Sequence, residues 1–73
     1  MLSNERIPLT AGELQVMKIV CRRHACTGRS VSREAGPRHA MAPGTVETHL
    51  RRLVEKGHLT TRRVGRGFVY APS

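Results

Sequence analysis

The chain has 73 residues and a formal net charge of +8, from 13 Lys and Arg against 5 Asp and Glu. That length allows one small domain, which buries only roughly 60% of its unfolded surface. No apolar run approaches the ~18 residues of a membrane span, no basic-then-apolar leader opens the chain, and Cys21 and Cys26 are too few and too close for a secreted disulfide framework, so the cytoplasm is the expected location.

Arginine dominates the basic residues, and its planar fork suits phosphates and guanine edges. The charge is evenly spread: residues 1–41 and residues 42–73 each carry a net +4. With no detached basic tail, the charge must lie on the folded surface. It draws the chain towards polyanions without choosing among DNA, RNA and membrane.

Residues 1–8 are expected to form an irregular arm, and residues 9–73 a single domain. Thr10 followed by Glu13 fits a capping box, with Leu9 and Leu14 available as a hydrophobic staple. From Ala11 to about Arg23 the spacing is helical, with Leu14, Val16, Met17, Val20 and Cys21 in one broad arc. Ile19 lies off that arc. A short second helix is expected at about 28–35, stopped by Gly36–Pro37 because proline removes a donor and disfavours helical geometry before it.

A third helix should run from Pro43 to Lys56, with proline suited to its first position and Gly57 as a left-handed terminator. Ala42 is a poor cap, which leaves the amide-rich end to solvent or a phosphate. Val46, Leu50, Leu53 and Val54 form its buried stripe. Thr45, Thr48, His49, Arg52 and Lys56 occupy the opposite side, with Glu47 and Arg51 on its flank. Leu59 to Val64 and Phe68 to Ala71 then read as two strands around the turn Gly65-Arg66-Gly67. The fold class is mainly α with a small β-hairpin, a winged helix-turn-helix.

Three blocks carry a more specific likeness: LTAGELQVMKIV (Leu9 to Val20), PGTVETHLRRLVEKGHLT (Pro43 to Thr60) and GRGFVYAP (Gly65 to Pro72). In this order and spacing they resemble the DNA-binding domain of the penicillinase-repressor family (BlaI/MecI/CopY type). The resemblance implies a cytoplasmic bacterial transcriptional repressor that binds double-stranded DNA at a dyad-symmetric operator as a homodimer. It makes the helix from Pro43 the recognition helix, with Gly44, Thr45, Glu47, Thr48 and Arg51 facing the groove or its phosphates, and Arg62, Arg63 and Arg66 on the wing. Arg52, central on the outer face, joins them: one of the adjacent pair Arg51 and Arg52 is expected to reach a guanine edge and the other a phosphate.

The chain also departs from the family pattern. Cys21 stands where the family has a buried tryptophan, which is expected to weaken the core. The second helix is more broken, and Ala42 replaces a serine or threonine cap. The family's C-terminal helical dimerisation domain has no expected counterpart after the wing, which leaves a pre-formed homodimer, a dimer assembled only on DNA and a monomer as open alternatives. Other readings are a winged-helix module for protein or RNA partners, and a DNA-binding fragment of a longer regulator.

Metal and catalytic readings are weaker. Cys21, His24 and Cys26 have poor spacing for a zinc site, and His39 is remote. There are no paired carboxylates, no nucleophile with an oriented base and no phosphate-binding glycine loop. Neither an enzyme nor a cofactor is expected.

Overall fold

The computed structural model describes residues 9–73. The arm expected at residues 1–8 lies outside the described residues. The elements in chain order are α1 (Ala11–Arg23), β1 (Cys26–Thr27), α2 (Gly28–His39), α3 (Pro43–Glu55), β2 (Leu59–Val64) and β3 (Gly67–Pro72).

The start of α1 is the expected capping box. Thr10 Oγ1 accepts from the Glu13 amide at 3.1 Å, and Glu13 Oε1 accepts from the Thr10 amide at 3.1 Å. The buried face of the helix, however, comprises Glu13, Val16, Ile19 and Val20. It is turned away from the expected arc, so that Leu14 is 44% exposed and Cys21 is exposed as well. The rotation has a chemical cause: Glu13 is fully buried and ion-paired, so a carboxylate occupies a position that apolar periodicity leaves to solvent. Because Cys21 faces out, the absence of a tryptophan there leaves no hole in this core. His24 is also exposed and ends the helix at φ 70°.

The second helix is longer than expected and continues through Pro37 to His39. Proline costs it one hydrogen bond, but the residue before it is Gly36, which lacks the Cβ that would meet the proline ring. Ala35 is fully buried and anchors this last stretch. The helix ends at Ala40 (φ 54°, ψ 39°), whose amide donates to the Gly36 carbonyl at 2.9 Å. At the other end, Thr27 Oγ1 caps the Ser30 amide at 3.1 Å.

In α3, Val46, Leu50 and Leu53 are fully buried, as the stripe requires. Gly57, at φ 87°, ends it. The His58 amide donates to Leu53 O at 2.9 Å and the Gly57 amide to Val54 O at 3.0 Å, the two bonds of a Schellman motif. That reversal sends the chain directly into β2.

The hairpin forms as expected and gains a third strand. The sheet order is β1-β3-β2, both pairings are antiparallel, and Cys26 lies opposite Tyr70. Two residues with only a dipeptide's worth of β signal form β1; its position is set by pairing to β3 rather than by local propensity. The core comprises Val16, Ile19, Val20, Cys26, Val31, Ala35, Val46, Leu50, Leu53 and Leu59, with Leu9, Met17, Met41, Val54 and Tyr70 packed around it. Burial pushes the Cys26 thiol pKa up, against the opposing influence of Arg23. Beside the core, α1 and α2 are clamped by Glu34, which pairs with Arg22, Arg23 (3.0 Å) and Arg38 (3.7 Å).

Candidate nucleic-acid interface

α3 packs against α1, α2 and β2, and its remaining surface is solvent-facing. Gly44, Thr45, Glu47, Thr48, Arg51 and Arg52 are all exposed on it. Its N-cap, Ala42, makes no side-chain cap hydrogen bond, and the first intrahelical bond is Val46 N to Ala42 O at 3.0 Å. The Gly44 and Thr45 amides therefore point out of an open, electropositive helix end. Around Gly44 there is room: a Cβ there would meet nothing within 4 Å. Glycine is thus not demanded by internal packing at that position. Thr48 Oγ1 donates to Gly44 O at 3.0 Å, which commits its proton and leaves its methyl group and lone pairs for another molecule.

Two residues expected on the outer side of α3 turn inward. His49 packs on α1, where its Nε2 lies 2.5 Å from the position a Cβ on Gly12 would take. Lys56 folds back so that its Nζ donates to Glu13 Oε1 at 2.6 Å. Helical spacing gave both the angle of a solvent residue; the close approach of the α1 N-terminus makes that side an interface. The Lys56 hydrogen bond is the main reason the Glu13 carboxyl is held below its ordinary pKa, and it outweighs the desolvation that opposes it.

Arg51 and Arg52 diverge as their adjacency requires. Arg51 and Glu47 line a cleft of about 330 Å³ together with Val54 of α3 and Thr61, Phe68 and Tyr70 of the sheet. Arg52 is exposed and does not line it. On the hairpin, the register sets Arg63 opposite Phe68 and Arg62 opposite Val69. Alternation then puts Arg63 on the face with Thr61, Phe68 and Tyr70, towards α3, and Arg62 on the reverse face. Arg66 lies at the turn, beside a second cleft shared with Gly28, Arg29, Glu47 and Phe68. The three wing arginines thus address three directions rather than one.

Two residues not singled out from the sequence belong to this surface. Arg29, near the start of α2, lines the clefts next to Glu47. Phe68 is 51% exposed and lines both the Arg51 cleft and the Arg66 cleft. The signal for Arg29 was its place one residue into a helix whose N-terminus faces α3. Phe68 reads as a core aromatic until the hairpin's reach beyond the core is known. Among the described residues there is no group of three or more His, Cys, Asp or Glu that could hold a metal ion. No helix there is long and apolar enough to cross a membrane.

A three-helix core with a hairpin beside an exposed third helix defines the winged helix-turn-helix class. Within it, the chain belongs to the penicillinase-repressor family, whose model matches residues 9–73. It is 34% identical over 70 residues to the penicillinase repressor of Bacillus licheniformis, covering 94% of this chain and 55% of that protein. The chain thus spans about half the length of that relative. Its fold is similar to the DNA-binding domain of the repressor BlaI, with a TM-score of 0.82 and 34% identity over 89% of this chain and 79% of the other. It is likewise similar to the monomeric form of Bacillus licheniformis BlaI in complex with the blaP half-operator, with a TM-score of 0.76, the same identity and the same coverage.

Proposed function

We propose that this protein is a sequence-specific DNA-binding transcriptional repressor, acting in the cytoplasm and not as an enzyme. The observation that carries this reading is the exposed polar face of α3, with its uncapped N-terminus, set beside an arginine-bearing hairpin. A helix of this width fits the major groove, and its open amides suit a phosphate at the groove wall. Gly44, Thr45, Glu47, Thr48, Arg51 and Arg52 would meet base edges and adjacent phosphates. Arg62, Arg63 and Arg66 would track the backbone or enter the neighbouring minor groove. The relative solved with a half-operator supports the same docking for this chain.

Two copies on a dyad-symmetric operator would double the contact surface that one small domain offers. Selection of bound duplexes from a random pool tests binding, specificity and symmetry together. The expected result is an enriched palindromic sequence bound by two protomers, with strong salt sensitivity. Recovery of no sequence above the random pool would sink the reading in favour of a protein- or RNA-binding winged helix.

A further inference from the structure

Glu47 is an anomaly on this surface. Among the described residues it is the one acidic group lining the clefts between α2, α3 and the wing, where its companions include Arg29, Arg51 and Arg66. The buried or partly buried acids of the described residues are neutralised: Glu13 by Lys56, and Glu34 by Arg22, Arg23 and Arg38. Glu47, like the exposed Glu55, forms no ion pair within 4.0 Å among the described residues, although Arg51 follows it by four positions on the same helix. A free carboxylate on a surface that meets phosphates is repelled by every duplex alike, and it loses hydration on entering a groove unless a donor replaces the water. In the major groove the donors it can accept from are exocyclic amino groups, cytosine N4 above all.

We propose that Glu47 is a specificity-determining residue that works by exclusion: it penalises every sequence except one that presents a cytosine amino group beneath the N-terminal half of α3. The inference rests on the DNA-binding reading above. The surrounding arginines supply attraction that is indifferent to sequence, and Glu47 converts part of it into discrimination. Its position near the start of α3 places it among the first side chains of that helix to meet the base edges.

The test is duplex selection followed by affinity measurement with the wild-type protein, Glu47→Gln and Glu47→Ala. Glu47 is exposed and forms no ion pair among the described residues, so both variants should keep the wild-type melting curve. The expected result is that both bind random duplex more tightly than the wild type, while their ratio of specific to random affinity falls roughly tenfold or more. The cytosine preference at one position of each half-site should disappear in Glu47→Ala, and in Glu47→Gln should move to adenine, which a carboxamide reads through N6 and N7. An equal gain on specific and random duplexes, with the selected sequence unchanged, would reduce Glu47 to a bulk charge and overturn the proposal. So would unchanged affinities. Failure of the wild type to enrich any duplex would instead overturn the DNA-binding reading, and this inference with it.

Discussion

Lys56 Nζ and Glu13 Oε1 lie 2.6 Å apart and join the C-terminal end of α3 to the N-terminal turn of α1 across 43 positions of sequence. The same carboxylate oxygen accepts from the Thr10 amide. One atom thus caps α1 and ties the C-terminal end of α3 to it. Since α3 also displays the candidate groove-facing residues, the pair anchors the helix that carries them to α1 from the buried side.

Removing only one partner should be costly. Lys56→Met leaves a buried carboxylate without its cation, for an expected loss of about 2–4 kcal/mol, at or somewhat below the usual range because Lys56 is 23% exposed. That is a large share of the 5–15 kcal/mol typical of a whole domain. Adding Glu13→Gln to Lys56→Met should recover part of the loss by removing the orphaned charge. Urea denaturation of the single and double variants measures both effects.

The same pair dictates a pH dependence. The folded state holds the Glu13 pKa below its ordinary value of 4.5. Its contribution to stability is therefore fully present above that value and is lost as pH falls through the lower, folded pKa. Stability measured from pH 7 to pH 3 should decline at the acid end, and the decline should be shallower in the Lys56→Met, Glu13→Gln double variant. Equal slopes for the two proteins would show that other carboxylates dominate the acid limb.

The two cysteines should behave oppositely. Cys21 is exposed, whereas Cys26 is buried, lies in β1 and has a raised thiol pKa. A thiol reagent at neutral pH should label one site rapidly in the folded protein and the second only at the rate of unfolding. Cys21→Ala should change stability by no more than about 0.5 kcal/mol. A larger loss would mean that Cys21 is packed after all.

For DNA binding, the directions of the arginines predict unequal effects. Arg63 lies on the α3 side and Arg66 at the tip of the wing, so neutralising either should lower the slope of log affinity against log salt by about one unit. Arg62, on the reverse face, should have the smaller effect. Arg51→Ala should cost roughly 1–3 kcal/mol mainly on the selected duplex, and Arg52→Ala should weaken selected and random duplexes alike. Reversal of the two would exchange the base-reading and phosphate roles.

Gly44 separates stability from binding. With open space around it, Gly44→Ala should stabilise the helix by about 0.5 kcal/mol. If a phosphate sits against the α3 N-terminus, the added methyl should nevertheless weaken DNA affinity. Thermal melting and binding titration on one sample would reveal the opposed changes.

Much of this architecture was legible in the residues themselves. The capping box at Thr10, the Val46–Leu50–Leu53 stripe, the terminator Gly57 and the hairpin around Gly65–Gly67 are local signals with local causes. Where expectation and structure part, the cause is tertiary. Periodicity weights Glu13 as polar and so turns α1 the wrong way. Pro37 reads as a stop because the general cost of proline in a helix is weighted above the missing Cβ of Gly36 and the anchoring of Ala35 in the core. β1 exists only because β3 is there to pair with it. The directions of Arg62 and Arg63 required a register, which alternation alone does not supply.

That small third strand has a further consequence. With β1 on one flank of β3 and β2 on the other, the central strand has no open hydrogen-bonding edge along the paired residues. The long free edge is that of β2, which carries Arg62 and Arg63 and ends at the exposed Val64. A second copy approaching edge to edge would bring like charges together, so the sheet resists growing into a larger one. The arginines proposed to meet a polyanion would thus also guard the protein against its own kind.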